Sequence, residues 1–385
     1  MAALVATGAW ADPEIRDTPA ISALSSPDAP LSPALEMDAI RLERGVIEVD
    51  IADAGAHRLE VLWGYPRGAA AGDNRPAIVI THGNPRRSTH RKLRIHRYGW
   101  LVSEFARRGY VAIAVARRGF GLSNGVYDEW YGSCEEASTE GYVRAGSVAA
   151  EDLRAVLAHL AEDPRVDPTR LMASGVSGGG FASLVLAGDP PPGLVGAINF
   201  SGGRGSVRDR ENCNAEGLTG AFHSVGHAGA RPSLWLYART DSFFWPELVD
   251  AHFDGTKAPA RLVMFDRALN TGEGHWLMQR GNTALWRPAI DTFLRDIGMP
   301  TWDPAPPIEV DLGVAPPDGL AEAATTQWVA YLGSEDFRAF AVGEDGAWGY
   351  ASAYRTADLA RDAAMEACAE KGPGCRIVAE GDRLP

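Results

Sequence analysis

Positive charge is scarce in this chain. Its 385 residues carry 37 Lys and Arg against 50 Asp and Glu, a formal net charge of −13 at pH 7. General nucleic-acid binding relies on a basic face that displaces counterions from phosphates, so no nucleic-acid partner is expected. Docking on anionic membranes is disfavoured for the same reason. The one local basic run, Arg86 to Arg97, reads as a solvated loop and helix start rather than an anion-binding patch. No stretch approaches 18 uninterrupted apolar residues, so no membrane insertion is expected. There is no internal repeat. Cysteines number four (Cys134, Cys213, Cys368 and Cys375), with no CxxC and no Cys/His set at zinc spacing. A structural metal site is therefore not expected, and nothing calls for a cofactor.

What is present suits a folded domain. About 45% of residues are hydrophobic and 23% charged, enough for one large α/β domain and something small beside it. Residues 1–11, MAALVATGAWA, are apolar and small, and Ala9-Trp10-Ala11 fits a small-x-small cleavage site before Asp12. They read as the end of a signal peptide without its basic n-region, so a periplasmic or secreted protein is expected. The four cysteines allow three pairings. The economical one is Cys134–Cys213 and Cys368–Cys375, in an oxidising compartment; four free thiols in a cytosolic enzyme are the alternative.

Residues 12–44 begin as an extended arm rich in Pro, Ser, Ala and Asp. Residues 45–298 alternate short apolar runs with amphipathic stretches, which predicts a mostly parallel sheet with helices on both faces. Residues 299–320 hold six prolines and read as a linker. Residues 321–385 read as a small α+β module. In it, Trp328–Gly333, Ala339–Gly343 and Gly349–Ala353 suggest strands, Ala357–Lys371 a helix, and the residues after Cys375 a last strand.

Gly175-Val176-Ser177-Gly178-Gly179 is G-x-S-x-G between a predicted strand and a predicted helix. A turn this tight leaves no room for side chains beside the serine, and its strain lifts the hydroxyl over the N-terminus of the following helix. Ser177 is therefore the candidate nucleophile. A base and an orienting acid are needed, in the chain order serine, acid, histidine. Asp241 directly follows the strand Ser233-Leu-Trp-Leu-Tyr-Ala, and His275 lies in the loop after Arg261-Leu-Val-Met-Phe. Glu247 and Asp266 are rival acids, less well placed. His223, His227 and His252 are rival bases, lying before the acid or in a helix-like stretch. The oxyanion hole needs two backbone N–H groups. Gly178 supplies one, and Asn84 the other, because Pro85 in Thr81-His82-Gly83-Asn84-Pro85 has none. A Cys134–Cys213 bridge would join two long loops at this edge, with Tyr127, Trp130 and Tyr131 as candidates to line the pocket.

Taken together, His82-Gly83, Arg117-Arg-Gly-Phe-Gly-Leu-Ser123, Gly175–Gly179, Leu236-Tyr-Ala-Arg-Thr-Asp241 and Gly274-His275 resemble the dienelactone hydrolase branch of the α/β-hydrolases, over roughly residues 45–298. The resemblance implies the α/β-hydrolase fold and a small-molecule or polymer ester as substrate. Two departures matter: the nucleophile position holds serine where true dienelactone hydrolases use cysteine, and the loops are long. Esterase chemistry is thus the better inference. A secreted peptidase or amidase of the same fold, and a non-catalytic binding protein on a hydrolase scaffold, stay open. The C-terminal module is similar to a small secreted bacterial domain of unknown function, through Ala339-Phe-Ala-Val, Trp348-Gly-Tyr-Ala-Ser, the Ala-rich helix and the Cys368/Cys375 pair. Its partner is unknown.

Overall fold

Two segments, Arg75–Thr81 (β4) and Val111–Val115 (β5), are apolar almost without a break. A strand reads that way when both of its faces are covered. In the computed structural model, which describes residues 12–24, 29–85, 87–308 and 310–384, alternate residues of these strands enter two different cores. Val79 and Ile113 face one, and Ile78, Ile80, Ala112 and Ala114 the other. The expected signal-peptide end, residues 1–11, lies outside the described residues.

The remaining strands of the large sheet are Glu14–Asp17 (β1), Ile40–Ile51 (β2), Gly55–Pro66 (β3), Val166–Val176 (β6), Leu194–Phe200 (β7), Ser233–Ala238 (β8) and Ala260–Phe265 (β9). The nine strands lie in the order β1-β9-β8-β7-β6-β4-β5-β3-β2. Strands β4 to β9 pair in parallel; β1, β2 and β3 are antiparallel to their neighbours at the two edges. Helices Gly99–Arg107 (α1) and Thr283–Asp296 (α6) cover one face. Helices Thr139–Ala161 (α2), Gly178–Gly188 (α3), Ala215–Val225 (α4) and Pro246–Asp254 (α5) cover the other. Helix α2 starts where Ser138 accepts from the Gly141 amide at 3.1 Å, an N-cap that supplies one missing backbone partner. The register sets Thr81 beside both Val115 and Gly175. The loops after β4, β5 and β6 therefore leave the sheet side by side.

Beyond α6 the chain stays on this body. Thr301–Trp302 pairs with Leu31–Ser32, and Asp291 of α6 anchors both residues of that short strand. Its Oδ1 accepts from Arg108 Nη2 at 2.6 Å and Thr301 Oγ1 at 2.7 Å, and its Oδ2 from Trp302 Nε1 at 2.9 Å. Next come Thr325–Leu332 (α7), Ala339–Val342 (β10), Trp348–Ala351 (β11), Ala357–Ala369 (α8) and Arg376–Glu380 (β12). Strand β10 is the centre of a three-stranded antiparallel sheet. Ala360, Ala364 and Cys368 of α8 lie on one face of it, and Trp328, Tyr331 and Leu332 of α7 on the other.

One expectation is corrected here. Trp328–Gly333 is not a strand but the body of α7. Its large residues recur at i, i+3 and i+4, which lines one helical face against Phe340. This region touches the large body directly. Glu335 accepts from the Trp100 amide at 2.9 Å, Arg94 donates to the Ser352 carbonyl at 2.8 Å, and the Gly281 amide donates to Gly333 O at 2.9 Å.

Asp291→Ala should take from the wholly buried Arg108 guanidinium its nearer carboxylate, leaving Glu104 at 3.5 Å. Removing one partner of a buried ion pair typically costs about 3–5 kcal/mol. A lowered midpoint in denaturant unfolding is the expected readout, and a variant as stable as the parent would contradict it.

Candidate active site

Ser177 stands between β6 and α3 with φ 54° and ψ −124°, a backbone conformation that L residues rarely hold. The neighbours explain how it is kept. A Cβ on Gly175 would lie 2.4 Å from the backbone of Gly179, and one on Gly179 would lie 2.3 Å from His82 O. The Ser177 amide donates to Phe200 O at 3.0 Å, and its carbonyl accepts from Phe181 and Gly203 at 3.0 and 3.1 Å. Strand β7, helix α3 and the loop after β7 thus hold the turn from three sides.

Asp241 and His275, from the loops after β8 and β9, form a buried pair. The His275 Nδ1 lies 3.2 Å from Asp241 Oδ2. A carboxylate only accepts, so Nδ1 carries the hydrogen and Nε2 is left as an acceptor. Asp241 Oδ1 takes the amides of Phe243 and Phe244 at 2.8 and 3.0 Å, which fixes the carboxylate. Phe243 stacks on the imidazole at 4.2 Å. Glu273, which no sequence pattern marks, accepts from the amides of both Ser242 and His275 at 3.0 Å, tying the two loops together. Ser201, next to Phe200, donates to Gly274 O at 3.4 Å, connecting the histidine loop to the serine turn.

The rival residues sit elsewhere. Glu247 is exposed and paired with Arg210, and Asp266 is exposed beside Arg239. His252 is buried against Phe222, and burial pushes its pKa down to about 3. His223 and His227 bond to backbone carbonyls of Ala251 and Gly188.

The loop after β4 flanks the serine. A Cβ on Gly83 would meet Ser177 Cβ at 2.9 Å, and one on Gly178 would meet Asn84 Oδ1 at 2.2 Å. His82 holds this loop in shape. Its Nε2 accepts from the Arg117 amide at 3.0 Å, which leaves Nδ1 to donate to Gly83 O at 2.7 Å. Burial, reinforced by the Arg117 charge, keeps this histidine neutral, well below its ordinary pKa.

Beneath Asn84 lies a charged cluster that no local sequence pattern announced. Arg117 donates from Nη1 to Thr81 Oγ1 (2.8 Å) and His82 O (2.6 Å), from Nη2 to Asn84 Oδ1 (2.9 Å), and from Nε to Glu129 Oε1 (2.5 Å). Glu129 Oε2 accepts from Asn84 Nδ2 and from Arg204 Nη2, both at 2.9 Å. Burial alone would raise the Glu129 carboxyl, but the two guanidinium groups hold it well below the usual carboxylate range. Arg117 comes just after the end of β5 and opens the Arg117–Ser123 segment, but neither feature marks its side chain as buried.

Cys134 is joined to Cys213, and Cys368 to Cys375. The first bridge links the segment carrying Glu129 to the end of a short antiparallel pair after β7, Ser206–Arg208 with Glu211–Asn212. Of the aromatic residues expected to line a pocket, Tyr127 packs on Phe120 and His90, and Tyr131 on Tyr142, while Trp130 is 47% exposed. Among the described residues no group of His, Cys, Asp or Glu is arranged to hold a metal ion.

Residues 72–208 match the family described as serine aminopeptidase, S33. The match covers little over a third of the chain, and together with the sheet order it gives the chain the α/β-hydrolase fold. The match takes in Ser177, Arg117, Glu129 and Arg204 but stops before Asp241 and His275. Among curated proteins none matches. Solved structures similar to this chain include an esterase of Thermogutta terrifontis (19% identity, 71% of this chain and 97% of that one, TM-score 0.47). Others are an esterase of Pyrococcus furiosus (14%, 69% and 98%, 0.47) and a dienelactone hydrolase-like promiscuous phosphotriesterase from metagenomic libraries (18%, 66% and 98%, 0.43). No helix among the described residues is long and apolar enough to cross a membrane.

Gly178→Ala should force Asn84 away from Arg117 and Glu129, because the added methyl falls on Asn84 Oδ1. Overpacking of this kind costs about 1–3 kcal/mol. Chemical denaturation should register the loss, and a crystal structure of the variant with Asn84 unmoved would refute it.

Proposed function

We propose that this hydrolase cleaves carboxylic esters through an acyl-enzyme on Ser177, with His275 as general base and Asp241 as the acid that orients it. The observation that carries this reading is the Asp241–His275 bond, buried and doubly braced at the same sheet edge as the strained serine. Ser177 Oγ attacks the ester carbonyl and passes its proton to His275 Nε2. The imidazolium is stabilised by Asp241 and returns the proton to the departing alcohol. Water then repeats the sequence on the acyl-enzyme and releases the acid. The amides of Gly178 and Asn84 are assigned to the developing oxyanion. Gly178 is the first residue of α3, where helical amides lack internal partners. Asn84 is held from behind by Arg117 and Glu129, so its amide is fixed before the reaction begins.

The family match favours a second reading, an aminopeptidase of the same mechanism. Such an enzyme needs a free carboxylate for the substrate's ammonium group. Glu129 is taken by two arginines and Glu273 by two backbone amides, which supports the ester reading. The substrate is a small-molecule or polymer ester. Two disulfides suit a periplasmic or secreted setting. Residues 321–385 are proposed as an accessory module whose partner is unknown.

A fluorophosphonate probe should label the protein covalently, and Ser177→Ala should abolish labelling. Turnover of a nitrophenyl ester should fall by roughly 10⁶ in Ser177→Ala and by about 10⁴ in Asp241→Asn. Combining the two should cost little more than the serine change alone, because the residues act as one unit. Labelling that persists in Ser177→Ala, or faster cleavage of aminoacyl anilides than of esters, would overturn the reading.

A further inference from the structure

Asp241, Glu273 and Ser201 brace the His275 loop on its way out from β9. Its return to α6 is held by different residues. Two buried asparagines tie the limbs of the loop together. Asn282 Oδ1 accepts from the Leu269 amide at 2.6 Å, and its Nδ2 donates to Asn270 Oδ1 at 3.0 Å and to Trp276 O at 2.9 Å. Asn270 Nδ2 donates in turn to Gln279 Oε1 at 2.7 Å. Trp276 directly follows His275, so any movement of Asn282 is passed to the histidine within one residue.

The carboxyl-terminal region closes on this asparagine pair. Gly333 stands at the end of α7, and its carbonyl accepts from the Gly281 amide at 2.9 Å. A Cβ on Gly333 would lie 2.8 Å from Asn270 Cβ and 2.9 Å from Gly281 Cα; one on Gly281 would lie 2.7 Å from Asn270 Cβ and 2.9 Å from Gly333 Cα. Gly333 has φ −89° and ψ 6°, close to the −80° and 0° of Arg108 at the end of α1. Its conformation does not call for glycine; the close approach of the two chains does.

Glu335 makes a second contact two residues on. Its carboxylate accepts from the Trp100 amide at 2.9 Å, at the start of α1, where backbone amides lack partners within the helix. Trp100 also donates from Nε1 to Thr283 Oγ1 at 2.7 Å, and Thr283 Oγ1 donates to Arg280 O at 2.6 Å. The last residues of the loop, Arg280 to Thr283, are therefore gripped between Gly333 on one side and Trp100, seated by Glu335, on the other. We propose that Gly333 and Glu335 are positioning residues for His275, fixing from the carboxyl-terminal region where its imidazole stands relative to Ser177. This rests on the reading above, in which His275 takes the serine proton, and it gives residues 321–385 a task within the catalytic step itself.

The test uses the full chain and 4-nitrophenyl acetate. Gly333→Ala adds a methyl where Gly281 and Asn270 leave no room. It should lower kcat by about ten- to a hundredfold, the scale of a misplacement of roughly 1 Å, and leave KM nearly unchanged. Circular dichroism should match the parent. Labelling by a fluorophosphonate should slow in step with kcat yet still end at one label per chain. A lower end point reached at the parental rate means that part of the protein is merely unfolded, and overturns the proposal. So does a raised KM with kcat retained, which would make the region a wall of the substrate pocket. Should Gly333→Ala fail to fold, Glu335→Ala, which removes a contact and adds no atom, decides on the same readings. If the wild type cleaves the ester in a Ser177-dependent way and both variants keep its kcat, this inference falls and the ester reading stands. No Ser177-dependent turnover by the wild type defeats the ester reading and this inference with it.

Discussion

Burying the guanidinium of Arg117 at the carboxyl end of the sheet sets the terms for everything around Ser177. A buried arginine has five N–H donors that no longer reach water, and each needs an acceptor. Arg117 finds them on the end of β4, on the loop after it and on Glu129 of the segment leading to Cys134. Three pieces of chain that are far apart in sequence are therefore held at fixed distances by one side chain. Asn84 owes its position to this arrangement, and Glu129 in turn reaches Arg204. The polar cluster works as a keystone because leaving any member unpaired is costly.

Steric closeness does the complementary part. Gly175, Gly178, Gly179 and Gly83 are all places where a Cβ would strike a neighbour. The serine turn, the Asn84 loop and α3 approach to backbone contact. Ser177 is held in a strained conformation by neighbours that cannot retreat, while the acid–histidine pair is braced separately by backbone amides and by Glu273. Two rigid halves then meet through the Ser201–Gly274 contact.

Much of this was legible in the sequence, for physical reasons that can be named. Parallel strands covered on both faces appear as unbroken apolar runs, so β4, β5 and β8 stood out. G-x-S-x-G between a strand and a helix marked the turn, and chain order pointed to Asp241 and His275. The buried charges were not legible. Arg117 and Arg118 are identical neighbours, and only the path of the chain beyond β5 decides which goes inside. Glu129 and Arg204 sit in irregular segments without periodicity, so nothing local marks them as buried. Trp328–Gly333 misled because aromatic and β-branched residues favour strands on composition, whereas packing on Phe340 rewards the helical spacing of Trp328, Tyr331 and Leu332.

The antiparallel strand β1 has a consequence of another kind. It covers the outer edge of β9, residue against residue from Glu14–Met264 to Asp17–Arg261, and is fastened by Arg261 to Asp17. An uncovered parallel strand offers a row of unpaired amides and carbonyls to any passing chain. These four residues act as a selvedge that keeps the sheet from being extended by a neighbour. Loss of these residues would convert a finished border into a sticky one, on the very strand that leads to His275.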